Sequence, residues 1–157
     1  EKIPDKKLHI YDGFCPTHIR VQEEDIVRAK TAHPGAEVIA HPECNPEVLA
    51  LSDHICSTGG MFTYVKASGA NEFIISTESG MLYKLQKENP CKKFYLPTPH
   101  LVCANMKLIT LGWVAHSLGN MVYEIKVSDD VRERAKRALD RMLAVTGEKQ
   151  GVALAGY

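Results

Sequence analysis

The chain has 157 residues, 45% of them hydrophobic, which suits one domain of ordinary size, or one and a half small ones, with a real core. Lys+Arg and Asp+Glu number 19 each, so the net charge is zero, which argues against a nucleic-acid or polyanion binder that relies on bulk electrostatics. No apolar run approaches the roughly 20 residues of a membrane span. The opening stretch Glu1-Lys2-Ile3-Pro4-Asp5-Lys6-Lys7 has no apolar core of a signal peptide. Five cysteines, an odd count with no disulfide-framework spacing, point to a reducing, cytoplasmic compartment with thiols free or on metal.

Short apolar strands alternate with amphipathic helices. Leu8–Asp12 is predicted as a strand. Glu23–His33 is predicted as a helix with Ile26, Val27 and Ala29 on its apolar face, stopped by Pro34-Gly35. Glu37–Ala40 is a short buried strand. Pro46–Leu51 is a short helix with Asn45 at its N-cap. His54–Cys56 is a further strand, and Ser57-Thr58-Gly59-Gly60 opens a helix to about Ala67. Glu72–Ser76 is a clear strand, Met81–Glu88 a helix, and Lys93–Leu96 a strand broken by Pro97-Thr98-Pro99. After Cys103 the rhythm fades. Leu108–Leu118 reads as a helix, Tyr123–Val127 alternates like a strand, and Ser128 caps a last helix from Asp129 to about Val145. The small, Gly-rich end from Thr146 to Tyr157 is expected to fray. The βαβα rhythm implies an α/β fold: short, mostly parallel sheets with helices on both faces.

In such sheets ligands bind beyond the carboxyl ends of the strands, and every unusual polar cluster falls at that edge. Cys15 follows the first strand, His41-Pro42-Glu43-Cys44 the second, Ser57-Thr58-Gly59-Gly60 the third, Thr77-Glu78-Ser79-Gly80 the fourth and Cys103 the last. Cys15 and Cys103 lie 88 positions apart, too far for a local zinc knuckle. They suggest a ligand set collected from several structural units. A His41–Glu43 pair around a rigid Pro42 suits proton transfer to a carboxylated substrate; the alternative is a His that caps the next helix beside a solvated Glu. The Ser57–Gly60 stretch could cradle a phosphate or carboxylate, or be an ordinary helix cap. Cys56 reads as a buried small apolar residue and Cys91 as an incidental surface thiol, while Cys44 stays open. Met61, Phe62, Tyr64, Met81 and Leu82 read as core.

Together and in order, Gly-Phe-Cys-Pro-Thr-His at 13–18, His-Pro-Glu-Cys at 41–44, Ser-Thr-Gly-Gly-Met at 57–61, Thr-Glu-Ser-Gly-Met at 77–81 and Cys-Ala-Asn-Met-Lys at 103–107 resemble the quinolinate synthase family. The likeness runs from about Leu8 to Val145. It implies three similar αβα units around a pseudo-threefold axis, each giving one cysteine to a [4Fe–4S] cluster. On that basis residues 1–18 would end the second unit, 19–103 form the third, and 104–157 pack on a first unit that precedes this chain. The chain would then be about the C-terminal half of the enzyme.

The resemblance further implies condensation of iminoaspartate with dihydroxyacetone phosphate to quinolinate, with loss of phosphate and water, the cluster serving as a Lewis acid. The L-aspartate oxidase that supplies iminoaspartate is the implied protein partner. Carried over residue by residue, Cys15 and Cys103 are cluster ligands, His41, Pro42, Glu43 and Thr58 contact substrate, and Glu43 with His41 moves protons. Ala104 departs from the family's usual proline and alters loop stiffness. The diphthamide-biosynthesis type, which also gathers three cysteines on a cluster, is the competing resemblance. A folded fragment without cluster or activity is the competing class, and zinc on Cys15, Cys103 and His18 is a further option.

Overall fold

The computed structural model describes Lys7, His9 and residues 12–146, with side chains to residue 144. Most of the expected first strand, Leu8–Asp12, lies outside the described residues, as does the tail from residue 147. The chain divides into two compact units, one ending at Leu108 and the other beginning at Ile109.

In the first unit a single 3-10 turn, His18–Arg20, precedes α1 (Glu23–Ala32). A reciprocal capping box starts α1: Asp25 accepts from the Gln22 backbone N–H at 3.0 Å while the Gln22 side chain serves the N–H of Asp25. Ile26 and Ala29 are buried as expected, but Val27 faces solvent. There follow β1 (Glu37–Ala40), α2 (Pro46–Ala50), β2 (His54–Ile55), α3 (Thr58–Ala67), β3 (Glu72–Ser76), α4 (Met81–Glu88), β4 (Lys93–Tyr95) and a one-turn α5 (Ala104–Lys107). The sheet is wholly parallel, in the order β2-β1-β3-β4.

The central strands β1 and β3 are apolar along nearly their whole length because both faces are covered. Val38, Ala40 and Ile74 pack with Val21, Ile26, Val48 and Leu101 on one side. Ile39, Phe73 and Ile75 pack with Met61, Val65 and Leu85 on the other. The result is a three-layer α/β/α arrangement. Met61 lies at the centre of its core, while Phe62, Tyr64, Met81 and Leu82 are partly buried around it.

Asn45 stands before α2 as expected, yet its side chain does not cap the helix. Its amide donates instead to the carbonyls of Ile19 and Val21, both at 3.0 Å. The residue read as a helix cap therefore pins the turn that carries His18.

The second unit has α6 (Leu111–Asn120), capped by Thr110, which accepts from the Trp113 N–H at 3.3 Å, and α7 (Asp129–Thr146). The strand expected over Tyr123–Val127 does not form. The segment pairs with no strand among the described residues, and Tyr123 has a left-handed φ of 65°. Alternating side chains alone do not make a strand whose backbone groups lack a neighbouring ladder.

Candidate functional site

The strand order reverses between β1 and β3: from β1 the chain goes one way to β2, then crosses to the other side for β3 and β4. The loops beyond the carboxyl ends of β1 and β3 therefore diverge and leave the crevice where open α/β sheets bind ligands. The His41 N–H donates to the Ser76 carbonyl at 3.2 Å, so the two strands stay paired up to that divergence.

His18 closes the crevice from outside the sheet. Its ring is buried, with Nδ1 3.0 Å from Glu43 Oε2 and Nε2 2.9 Å from Thr77 Oγ1. The partners define the tautomer of the neutral ring: Nδ1–H donates to the carboxylate, and Nε2 accepts the threonine hydroxyl. The His18 ring stacks on His41, with centroids 4.1 Å apart and planes within 9°. His41 Nδ1 accepts the Glu43 backbone N–H at 3.3 Å, which puts the proton of a neutral ring on Nε2. Burial, reinforced by the His18 ring and opposed by Glu43, holds the His41 pKa below the usual histidine value.

Cys15 joins this group. A thiol sulfur, an imidazole nitrogen and a carboxylate oxygen from Cys15, His18 and Glu43 lie within 4.8 Å of one another, a donor set able to hold a metal. Cys103 stands at the N-cap position of α5, and its thiol is held below the ordinary value by the Met106 N–H first, then by the Thr17 hydroxyl and the Asn105 N–H. Thr17 belongs to the same loop as Cys15, so Cys103 reaches the first cysteine's surroundings despite its distance in sequence.

The other cysteines differ in kind. The Cys44 thiol is buried, donates to the Ser76 carbonyl at 3.5 Å and is pushed up to about 11, chiefly by burial. The Cys56 thiol is also raised by burial, and Cys91 is exposed. A metal-binding thiolate is favoured at Cys103 and disfavoured at Cys44 and Cys56.

The structure thus brings His41, Glu43 and Cys15 together and ties Cys103 to the loop of Cys15. Pro42 is exposed between His41 and Glu43. Thr58 is exposed one loop over, in the first turn of α3, where Ser57 caps the helix by accepting the Gly60 N–H at 3.3 Å. That loop starts beside the His41 loop, because the Cys56 N–H donates to the Ala40 carbonyl. Sequence reasoning offered His18 only as an optional zinc ligand and Thr77 only as part of the cluster after the fourth strand, and did not join either to Glu43. The only available signals were the place of His18 three residues after Cys15 and that of Thr77 directly after a buried strand.

A family model described as quinolinate synthetase A protein matches residues 1–144. The chain is 50% identical over 144 residues to a quinolinate synthase of Geobacter sp. (strain M21), covering 92% of this chain and 47% of that protein. It is 48% identical over 143 residues to the quinolinate synthase of Thermodesulfovibrio yellowstonii, covering 91% and 47%. To quinolinate synthase 2 of Methanosarcina acetivorans it is 48% identical over 143 residues, covering 91% and 46%. The chain spans about half the length of the curated relatives it matches.

Proposed function

The chain belongs to the quinolinate synthetase A family, and on that premise we propose that it forms part of an enzyme condensing iminoaspartate with dihydroxyacetone phosphate to quinolinate, with loss of phosphate and water. The observation that carries this is the hydrogen-bonded line from Thr77 through His18 to Glu43 at the mouth of the crevice. Glu43 is the general acid/base. Its side chain is half exposed, at 51%, and His18 fixes one carboxylate oxygen, so the group is aimed without being sealed. His41 offers a neutral ring able to pass a proton. With Pro42 and with Thr58 on the next loop, it contacts the substrate.

Cys15 and Cys103 hold a [4Fe–4S] cluster. The depressed Cys103 thiol, tied to the Cys15 loop through Thr17, supports this, since such clusters are bound by thiolates. When bound, the cluster supplies a Lewis-acidic iron that assists dehydration. Residues 1–18, 19–103 and 104–157 serve as the end of one unit, a complete unit, and a segment that packs on another unit. With two cluster cysteines in about half the length of its relatives, this span makes no quinolinate by itself. Iminoaspartate comes from an L-aspartate oxidase. No described helix is long and apolar enough to cross a membrane, and the enzyme works in the cytoplasm.

The test is anaerobic quinolinate production by a full-length synthase carrying this span, given aspartate, L-aspartate oxidase and dihydroxyacetone phosphate. Product should form, and Glu43→Gln should slow it by about 10²-fold or more with iron content unchanged. Absence of product, or an unaffected Glu43→Gln enzyme, overturns the proposal.

A further inference from the structure

The loop after β3 holds a buried carboxylate that the crevice chemistry does not use. Glu78 is only 8% exposed. Its Oε1 lies 2.9 Å from Lys107 Nζ, and its Oε2 accepts the Gly80 N–H at 2.7 Å. The Cys103 backbone N–H lies close enough to favour the charged form of the same carboxylate. Nearby, the Ser79 N–H donates to the Leu101 carbonyl at 2.8 Å. Lys107 closes the single turn of α5 that Cys103 opens, its N–H bonding to the Cys103 carbonyl at 3.2 Å. One side chain thus grips both ends of the turn carrying the cysteine.

We propose that Glu78, with Lys107, is a clasp that positions Cys103 for metal binding; this rests on the assignment of Cys103 as a cluster ligand.

Gly80 argues independently for the clasp. A Cβ there would come within 2.7 Å of Glu78 Oε2 and 3.4 Å of Lys107 Nζ. The φ of Gly80 is −61°, so the glycine is not needed for its backbone freedom. It is needed for room beside the ion pair. Burying a carboxylate is costly unless it is paired and hydrogen-bonded, and here every partner belongs to one of the two loops being joined. Groups that orient a metal ligand this way typically change metal affinity by about 10–100-fold when removed.

Cobalt(II) alone is the probe, titrated into the metal-free chain and followed by its thiolate charge-transfer absorbance. Glu78→Ala and Gly80→Ala should weaken cobalt binding by about 10-fold or more, and Lys107→Met by less, since the backbone link remains. As a second readout, iodoacetamide labelling of Cys103, scored by peptide mass against exposed Cys91, should change several-fold in Glu78→Ala while Cys91 does not. Melting curves identify any variant that has lost its fold, and Lys107→Met, on the surface, keeps the test open in that case. If Cys103→Ser weakens cobalt binding while the clasp variants bind and label as the parent does, the clasp is overturned and the ligand assignment stands. If Cys103→Ser changes nothing, the ligand assignment falls, and the proposal falls with it.

Discussion

The two units of the chain contrast sharply in how they are held. Up to Leu108, sixteen hydrophobic side chains are buried among the described residues, in two clusters on either side of the sheet. From Ile109 onward no described side chain is buried, although Leu111, Trp113, Ile125, Leu139 and Met142 are apolar. Both units have capped helices and favourable charge placement, including Asp129 and Asp130 in the first turn of α7. Local signals suffice to write a helix in either unit. Burial of an apolar face, from which most helical stability in proteins comes, is present among the described residues only in the first.

The largest expected effect separates the two units by truncation. Phe73 is fully buried and packs on Phe94 with centroids 5.7 Å apart. Phe73→Ala should lower stability by about 3–5 kcal/mol in urea unfolding, whereas Leu139→Ala on exposed α7 should stay within about 0.5 kcal/mol. Equal losses would break the contrast.

Next comes Thr77→Val, which leaves His18 Nε2 without its buried hydroxyl partner. A cost of about 1–3 kcal/mol is expected by the same measurement, with no change in the helicity of the second unit. A neutral outcome would mean that water replaces the hydroxyl and that the His18 line is looser than its 2.9 Å bond indicates.

Smaller still are the helix caps. Ser57→Ala and Thr110→Ala each remove a side-chain acceptor for a first-turn N–H, worth about 1 kcal/mol. In the first unit the loss should appear as a lower unfolding midpoint. In the second it should appear as reduced helical circular dichroism without a shift in that midpoint.

The mildest effect is on pH. Because the folded pKa of His41 is depressed, its contribution to stability is complete above the unfolded value near 6.5 and is lost as pH falls below it, where the unfolded chain takes up the proton more readily. The urea midpoint should drop on acidification from about pH 7 to 5, and His41→Gln should flatten that drop. An unchanged slope in the variant would assign the drop to other groups.

Much of the fold could be read from the chain because its signals are local. The apolar run Glu72–Ser76, the Pro at the start of α2 and the Ser57 cap each act within a few residues. The parallel sheet followed from the βαβα rhythm, and the clusters at its carboxyl edge followed from the strands. What was not legible depends on contacts between distant positions. His18 meets Glu43 across 25 residues and Thr77 across 59. Nothing in the spelling of Asn45 distinguishes a helix cap from an anchor for the turn before α1. At Tyr123–Val127 the pattern misled in the other direction. Alternation marks which face a strand would bury, and it says nothing about whether a partner edge is there to receive it.

The strand order also governs how the molecule is born. β1 is central, yet both its neighbours are made after it, and the register from Glu37↔Phe73 to Ala40↔Ser76 cannot form until β3 has been synthesised. At about 5–20 residues per second, the apolar segment Val38-Ile39-Ala40 waits on the order of seconds for β3, with only the two-residue β2 made in between. A newly made chain is therefore most prone to wrong association in that interval. Slowing the ribosome between residues 40 and 76 should cost more yield than slowing it later.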